Sequence, residues 1–331
     1  FGLQNGPPLT ADRQRCGRLA LYRFVATLPT GAQLPEGGRW QTCQMQRWII
    51  GARLRTLPAA VVPVLVGTGA AVGAGIVWWR AAAALVVAVA MQVGANYAND
   101  YADGIRGADG PERVGPARLV GSGLATPAET RRAAIIAFGI AAVVGLVLSL
   151  VVAPWLLLVG GASIAAGWFY TAGSRPYGYA GLGELSVFVF FGLVATVGSA
   201  YVHGGGITGV ALIAGVAVGL LACALLVANN LRDRERDASV GKVTSAVRLG
   251  DRRTRLLYVC LLDGGLVCGS LCVLFRSWAV LILAAGVVAA RPVKIVLAGA
   301  RGTDLFGILG ATGHVQWVAG VMLGLGLALS G

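Results

Sequence analysis

The segment Asn96-Tyr-Ala-Asn-Asp-Tyr-Ala-Asp-Gly-Ile-Arg-Gly-Ala-Asp109 decides how the rest of this chain is interpreted. It follows an apolar run, residues 81–95, so amides and carboxylates appear where a membrane helix would leave the lipid. If the helix continues through Asp103, four oxygen-bearing side chains share one face by their i, i+3/i+4, i+7 spacing: Asn96, Asn99, Asp100 and Asp103. Such a row of oxygen ligands suits a hard cation such as Mg²⁺. Acidic groups near membrane depth are costly, and they indicate a functional site.

The composition predicts a polytopic membrane protein. Of 331 residues, 56% are hydrophobic and only 12% are charged, which is far more apolar than an average soluble domain. The 50 glycines fit this class, because small residues let membrane helices approach closely.

Nine apolar segments each have about the length that crosses a bilayer, roughly 20 residues. They lie near 57–79, 81–103, 130–151, 154–173, 183–203, 207–232, 253–275, 278–299 and 308–330. The expected fold is therefore all-α, with about nine transmembrane helices. Residues 1–45 contain no such run, so we expect a poorly structured cytoplasmic extension followed by a transmembrane domain over 46–331.

The distribution of basic residues predicts the orientation. If Arg80 and Arg276 lie on one side, the other 25 of the 27 basic residues fall on the opposite side. Since Lys and Arg collect in cytoplasmic loops, the N-terminus is expected in the cytoplasm and the C-terminus outside. The net charge of +13 then reflects topology, so nucleic-acid binding is not predicted.

A second polar segment, Asn229-Asn-Leu-Arg-Asp-Arg-Glu-Arg-Asp-Ala-Ser-Val-Gly-Lys-Val-Thr244, ends the sixth apolar run on the same predicted side. Asp233 and Asp237 are spaced i, i+4, and Asn229 extends their stripe by one turn. Either stripe alone is also typical of a solvated, salt-bridged helix end. Together they gather five carboxylates that no partly dry site tolerates without neutralisation: Asp100, Asp103, Asp109, Asp233 and Asp237. Mg²⁺ ions bridging a polyphosphate explain them, with Arg and Lys on the outer phosphate oxygens.

Glu184 is the lone acid of the fifth apolar run, in front of an aromatic-rich stretch. We expect it to orient a ligand or to pair with Arg175. A helix-start carboxylate favoured by the helix dipole is an equally good interpretation.

These motifs resemble the UbiA-type intramembrane prenyltransferases, and within them the 1,4-dihydroxy-2-naphthoate polyprenyltransferases (MenA) of menaquinone synthesis. The first family motif matches Asn99, Asp103 and Asp109, with Asn96 and Asp100 as neighbours, and the second matches Asp233 and Asp237. Four further blocks resemble this branch: 52–67, 118–123, 170–184 and 229–244. The resemblance covers about 47–330. Asp103 and Asp109 are six residues apart, whereas the wider superfamily spaces these acids by four.

The resemblance implies nine helices around a central cavity and Mg²⁺-dependent transfer of a polyprenyl group to 1,4-dihydroxy-2-naphthoate, with loss of its carboxyl group. The catalytic residues that the resemblance implies are Asp103, Asp233, Asp237 and Lys242. The implied metal ligands are Asn99, Asp100, Asp103, Asp109, Asp233 and Asp237. The expected substrate-binding residues are Arg53, Asn96, Arg118, Tyr170, Arg175, Asn229, Asn230 and Arg232. The expected partners are the polyprenyl diphosphate, the naphthoate and membrane lipids.

Other functions also fit parts of the sequence pattern. Within prenyl transfer, 4-hydroxybenzoate or homogentisate are alternative aromatic acceptors. A cation-coupled transporter predicts ionisable groups near the bilayer midplane, whereas these motifs cluster at one face.

Overall fold

The computed structural model describes residues 45–107, 117–302 and 304–331. Within these ranges the chain forms helices and no strand. The helices in chain order are α1 Met45–Thr56, α2 Pro58–Ala70, α3 Trp78–Ile105, α4 Pro127–Val152, α5 Leu156–Phe169, α6 Gly183–Gly204, α7 Gly209–Ser239, α8 Ser245–Leu274, α9 Ser277–Leu297 and α10 Asp304–Leu329. The predicted extension lies outside the described residues except for Met45.

Seven of these helices, α3, α4 and α6–α10, are long and apolar enough to cross a membrane. The bent pair α1 and α2, which meet at 55°, provides an eighth candidate. α5 has 14 residues and is about 21 Å long, shorter than the bilayer core of about 30 Å. The described residues thus confirm an all-α membrane fold with seven or eight candidate spans, and the predicted count of nine is approximate.

The segment before α3, the end of α6, the segment between α8 and α9 and the end of α10 lie together at one end of the bundle. At this end, which we call the outer end, Val77 N donates to His203 Nδ1 at 3.1 Å. Arg80 donates to Val202 O at 2.8 Å, and Arg276 donates to Ser330 O at 2.7 Å. The two arginines that the charge pattern separated from all others therefore lie at this end. Each satisfies a backbone carbonyl near a helix terminus.

α7 lies at the centre of the bundle, and many of its buried side chains are alanine, valine and leucine. Small residues bring other helices close to it. A Cβ added at Gly192 of α6 would lie 2.5 Å from the Gly219 Cα of α7, so the two backbones are in direct contact. Backbone contact of this kind holds α6 at a fixed height along α7.

Within α6, residues Phe188–Val194 form a π-helical segment rather than α-helix. π-segments contain i→i+5 hydrogen bonds and frequently lie near functional sites. Here the segment contains Gly192, which contacts α7, and it follows Glu184, which lies in the first turn of α6.

The end opposite the outer end carries the polar motifs, and we call it the polar end. α3 continues through Asp103, as predicted, and ends at Ile105, before Gly107 at φ 70°. α7 extends to Ser239 and is followed by Gly241 at φ 73°. Glycine adopts these left-handed conformations without steric cost. Both carboxylate stripes therefore lie in the last turns of long helices.

Candidate active site

The oxygen-bearing face of α3 divides between two sets of neighbours. Asn96 and Asp100 lie against α1, where the Asn96 amide donates to Ala52 O at 2.9 Å. Asn99 and Asp103 instead lie against residues 170–182, the loop between α5 and α6. The predicted single stripe is therefore two i, i+4 pairs with different surroundings.

Asp100 is fully buried and occupies the centre of an ion-pair cluster. Its Oδ1 accepts from Arg53 and, at 2.8 Å, from Arg118, and its Oδ2 accepts from the Leu119 backbone N–H at 3.0 Å. Arg53 has a left-handed backbone, with φ 53°, which is uncommon for a residue other than glycine. We call these three side chains, with Asn96, the anchor cluster: Arg53, Asn96, Asp100 and Arg118.

The anchor cluster differs from the ligand sites that we predicted for its members. Two arginines already neutralise Asp100, and a Mg²⁺ ion at the same carboxylate would lie beside their positive charge. The Asn96 side chain is equally occupied, because its Nδ2 donates to Thr56 and its Oδ1 accepts from Gln92. We therefore leave Asp100 out of the metal site that we propose below. Asp109 lies outside the described residues.

At the end of α7, Asp237 has a carboxylate oxygen that is available to bind a cation. The carboxylate is buried, its Oδ1 is 3.7 Å from Lys242 Nζ, and its Oδ2 has no hydrogen-bond partner among the described residues. A buried carboxylate oxygen without a donor is costly, so this atom requires a cation or a donor. Its free lone pairs suit a hard cation.

Asp233, one turn before Asp237, is engaged by its neighbour Arg232. Arg232 donates to both Asp233 oxygens at 2.7 and 2.5 Å and to Asn229 Oδ1 at 2.8 Å. Its guanidinium lies 5.0 Å from the centre of the Phe306 ring. Asp233 must exchange these contacts before it can bind a cation.

The loop of residues 170–182 connects the two stripes. Thr171 donates to Asn99 Oδ1 at 2.6 Å, and Tyr179 Oη donates to Asp103 Oδ1 at 2.6 Å. Val243, next to Lys242, donates from its backbone N–H to Tyr179 O at 3.0 Å. The loop thus contacts both the end of α3 and the segment that follows α7.

A series of contacts places both stripes around one space: Tyr179 donates to Asp103, its ring lies 5.3 Å from Lys242, and Lys242 is 3.7 Å from Asp237. The Asp237 carboxylate is within electrostatic range of Asp233 and of Asp103 on the other helix. The Tyr170 hydroxyl is in turn within range of Asp103 and Asp237. The structure therefore brings together six of the predicted site residues: Asn99, Asp103, Tyr170, Asp233, Asp237 and Lys242.

Two other predicted residues lie elsewhere. Arg175 is exposed, and it makes no hydrogen bond or ion pair with another described residue. The Asn230 amide donates to Glu184 Oε1 at 3.0 Å, and Ser245 donates to the same oxygen. The partners of Glu184 are thus Asn230 and Ser245 rather than Arg175.

Sequence reasoning missed Tyr179, Arg106 and Thr171. Burial raises the pKa of the Tyr179 hydroxyl, and the nearby Asp103 carboxylate raises it further, so the phenol stays a neutral donor. The available signal was the position of Tyr179 in a polar loop between two membrane helices, since such loops carry function more often than the helices do.

The donor set fits Mg²⁺ when phosphate oxygens complete the coordination. Among the described residues, no three Asp, Glu, His or Cys side chains lie close enough to form a metal site alone. Mg²⁺ is usually held by one or two carboxylates and by substrate phosphates. Asp103 and Asp237, with an unpaired oxygen on Asp237, meet that requirement, and Asn99 would add its amide oxygen after releasing Thr171.

Comparison with known proteins identifies the family. Residues 60–304 match the UbiA prenyltransferase family. The chain belongs to this family. A UbiA homolog from Archaeoglobus fulgidus, solved bound to GPP and Mg²⁺, has the same fold, with a TM-score of 0.65 over 86% of this chain and 99% of that structure. Their sequences are 15% identical, so this similarity concerns the fold alone.

Curated UbiA relatives are far more similar in sequence. A Mycobacterium tuberculosis protein named 1,4-dihydroxy-2-naphthoate octaprenyltransferase is 51% identical over 82% of this chain and 93% of its own length. An Escherichia coli protein with the same name is 39% identical over 78% of this chain and 87% of its own length.

Proposed function

We propose that this chain transfers a polyprenyl group from polyprenyl diphosphate to a ring carbon of 1,4-dihydroxy-2-naphthoate, with release of diphosphate and CO₂, to give demethylmenaquinone. The observation that carries the proposal is the pair of carboxylate stripes, on α3 and α7, around one space that Tyr179 and Lys242 border. The acceptor is inferred from the relatives at 51% and 39% identity, both named for it. The transferase domain is assigned to residues 46–331.

The leaving group explains why two stripes are needed. Breaking the allylic C–O bond leaves a diphosphate with several negative charges, and charge that develops in the transition state is best stabilised by preorganised cations. Asn99, Asp103, Asp237 and, after release from Arg232, Asp233 would hold Mg²⁺, with Asp109 as a further ligand. Bound Mg²⁺ supplies the positive charge that the diphosphate requires.

Basic side chains around the stripes would bind the remaining phosphate oxygens. Lys242 is 3.7 Å from Asp237, a long ion pair that can open toward an anion. Arg232 lies between Asp233 and Phe306, so its release would free Asp233 for the metal and the guanidinium for the phosphate. Arginine suits this role because its planar donors match phosphate oxygens.

The membrane supplies the prenyl substrate and excludes water. Each of the helices α3, α4 and α6–α10 contains an apolar stretch long enough to cross a membrane, so a long prenyl tail would extend from the polar end along the bundle or into lipid. Exclusion of water protects an allylic cation from hydrolysis. We place the protein in a bacterial cell membrane, with the polar end and N-terminus in the cytoplasm and the C-terminus outside, on the basis of the one-sided distribution of Lys and Arg.

A direct assay tests the function. Purified protein is incubated with Mg²⁺, a mixture of prenyl diphosphates and either 1,4-dihydroxy-2-naphthoate, 4-hydroxybenzoate or homogentisate, and products are identified by mass spectrometry. We expect prenylated, decarboxylated naphthoquinol, with activity abolished by EDTA and restored by Mg²⁺. Product from only one of the other acceptors would contradict the naphthoate assignment while preserving prenyl transfer.

A further inference from the structure

Tyr179 contacts the α3 carboxylate stripe directly and also contacts the segment that follows the α7 stripe. Its Oη donates to Asp103 Oδ1 at 2.6 Å, and its backbone carbonyl accepts from Val243 at 3.0 Å. Among the described residues, no donor reaches the second oxygen of Asp103. Since a carboxylate binds Mg²⁺ well when one oxygen is already fixed, this arrangement leaves Oδ2 for an ion.

Two cations lie beside the Tyr179 ring. The Arg106 guanidinium is 5.4 Å and the Lys242 ammonium 5.3 Å from the ring centre, within the range of cation–π attraction. Arg106 is itself fixed, because it donates to the carbonyls of Thr171 and Gly173. Positive charge near a phenol makes its O–H a stronger donor, which reinforces the bond to Asp103.

We propose that Tyr179 is a positioning residue for the Mg²⁺–diphosphate site. Its hydroxyl orients Asp103 for the metal, and its ring holds Lys242 next to Asp237. This inference rests on the proposed function, but it assigns a role to a residue outside both carboxylate motifs.

A purely structural role would make Tyr179 one of several contacts that fasten the loop. Tyr177 provides the comparison, since its Oη lies 2.8 Å from Ala166 O and 2.9 Å from Ser186 Oγ. It fastens the same loop without touching either carboxylate stripe. Replacing either tyrosine by phenylalanine removes one hydroxyl and keeps the ring, so the two variants are matched.

The test compares Tyr179→Phe, Tyr177→Phe and the unmodified full chain. Mg²⁺ is titrated in the presence of farnesyl thiodiphosphate, which cannot react readily, and the thermal unfolding temperature is recorded together with turnover of the normal substrate. For Tyr179→Phe we expect the Mg²⁺ concentration at half-maximal stabilisation to rise roughly tenfold or more, as for other residues that orient a metal ligand. Its kcat should fall while the KM for the aromatic acceptor stays unchanged. Tyr177→Phe should follow the Mg²⁺ curve of the unmodified chain.

A third variant separates the ring from the hydroxyl. Tyr179→Leu removes both, so it should also raise the thiodiphosphate concentration needed for stabilisation, because Lys242 loses its neighbour. Overlapping Mg²⁺ curves for Tyr179→Phe and Tyr177→Phe would overturn the inference. If the unmodified chain is stabilised by Mg²⁺ and thiodiphosphate but prenylates no naphthoate, only the acceptor assignment fails. Absence of any Mg²⁺-dependent stabilisation overturns both proposals.

Discussion

Arg118 donates to the buried carboxylate of Asp100 at 2.8 Å, so two residues that we expected to contact ligands contact each other. Arg53 completes the pairing from α1. The anchor cluster therefore holds three parts of the chain together: the bent start of the bundle, α3 and the segment before α4. This arrangement predicts different behaviour for Asp100 and Asp103, although they are only three residues apart.

Asp100→Asn is expected to destabilise the protein without changing its Mg²⁺ requirement. Removing the charge leaves two arginines poorly compensated in a buried site, a change that costs about 3–5 kcal/mol in soluble proteins. Thermal unfolding should shift downward while the Mg²⁺ concentration for half-maximal turnover stays constant. Asp103→Asn is the matched comparison and should raise that concentration. A raised Mg²⁺ requirement in Asp100→Asn would return Asp100 to the metal site.

Asp103→Ala and Asp237→Ala are each expected to lower kcat by about 100-fold or more, because each removes a carboxylate that would hold the cation on the leaving group. The measurement is diphosphate release with saturating substrates. Glu235→Ala is the control, since Glu235 lies between the two α7 carboxylates in sequence but its side chain is 89% exposed. Normal turnover in either aspartate variant would contradict the proposed site.

Glu184 is expected to act as a structural cross-link. Its Oε1 accepts from Asn230 and Ser245, which join α6, α7 and α8. Glu184→Ala leaves both donors without a partner, at a cost of about 1–3 kcal/mol. Glu184→Gln keeps an acceptor oxygen and should be close to the original in thermal stability. If Glu184→Gln lowers thermal stability as much as Glu184→Ala, the negative charge of Glu184 has a further role at the site.

Asp263 is expected to reduce stability in the bilayer. It is exposed on α8, roughly 16 Å from the end of that helix, and has no hydrogen bond or ion pair with another described residue. An aspartate near the membrane centre costs about 3 kcal/mol on insertion scales. Asp263→Leu should raise the temperature of inactivation in nanodiscs with turnover unchanged, and Asp263→Asn should give a smaller gain. Loss of stability in Asp263→Leu would mean that this carboxylate contacts a group outside the chain.

Hydrophobic periodicity and charge predicted much of this architecture. They located the helix ends that carry Asp103 and Asp237, because an apolar run that ends in carboxylates is a signal within the local sequence. They did not separate Asn96 and Asp100 from Asn99 and Asp103. A 3.6-residue period identifies a helical face, but the neighbours of that face depend on packing between distant segments. The position of Tyr179 likewise depends on its packing against α3 and the segment after α7, and the residues next to it in sequence do not predict that packing.

In the π-helical segment Phe188–Val194, the number of residues matters for the position of Glu184 as much as the residue types do. Gly192 is fixed by backbone contact with Gly219, and Glu184 is fixed by Asn230, so α6 is held to α7 at two heights. Each α-helical residue turns the chain by about 100°. Deleting one residue between Phe188 and Phe191 would therefore rotate Glu184 away from Asn230 while Gly192 stayed in place. We expect the fold to tolerate conservative substitutions in this segment. A single-residue deletion would instead shift the start of α6 and disturb the preceding loop, which carries Tyr179.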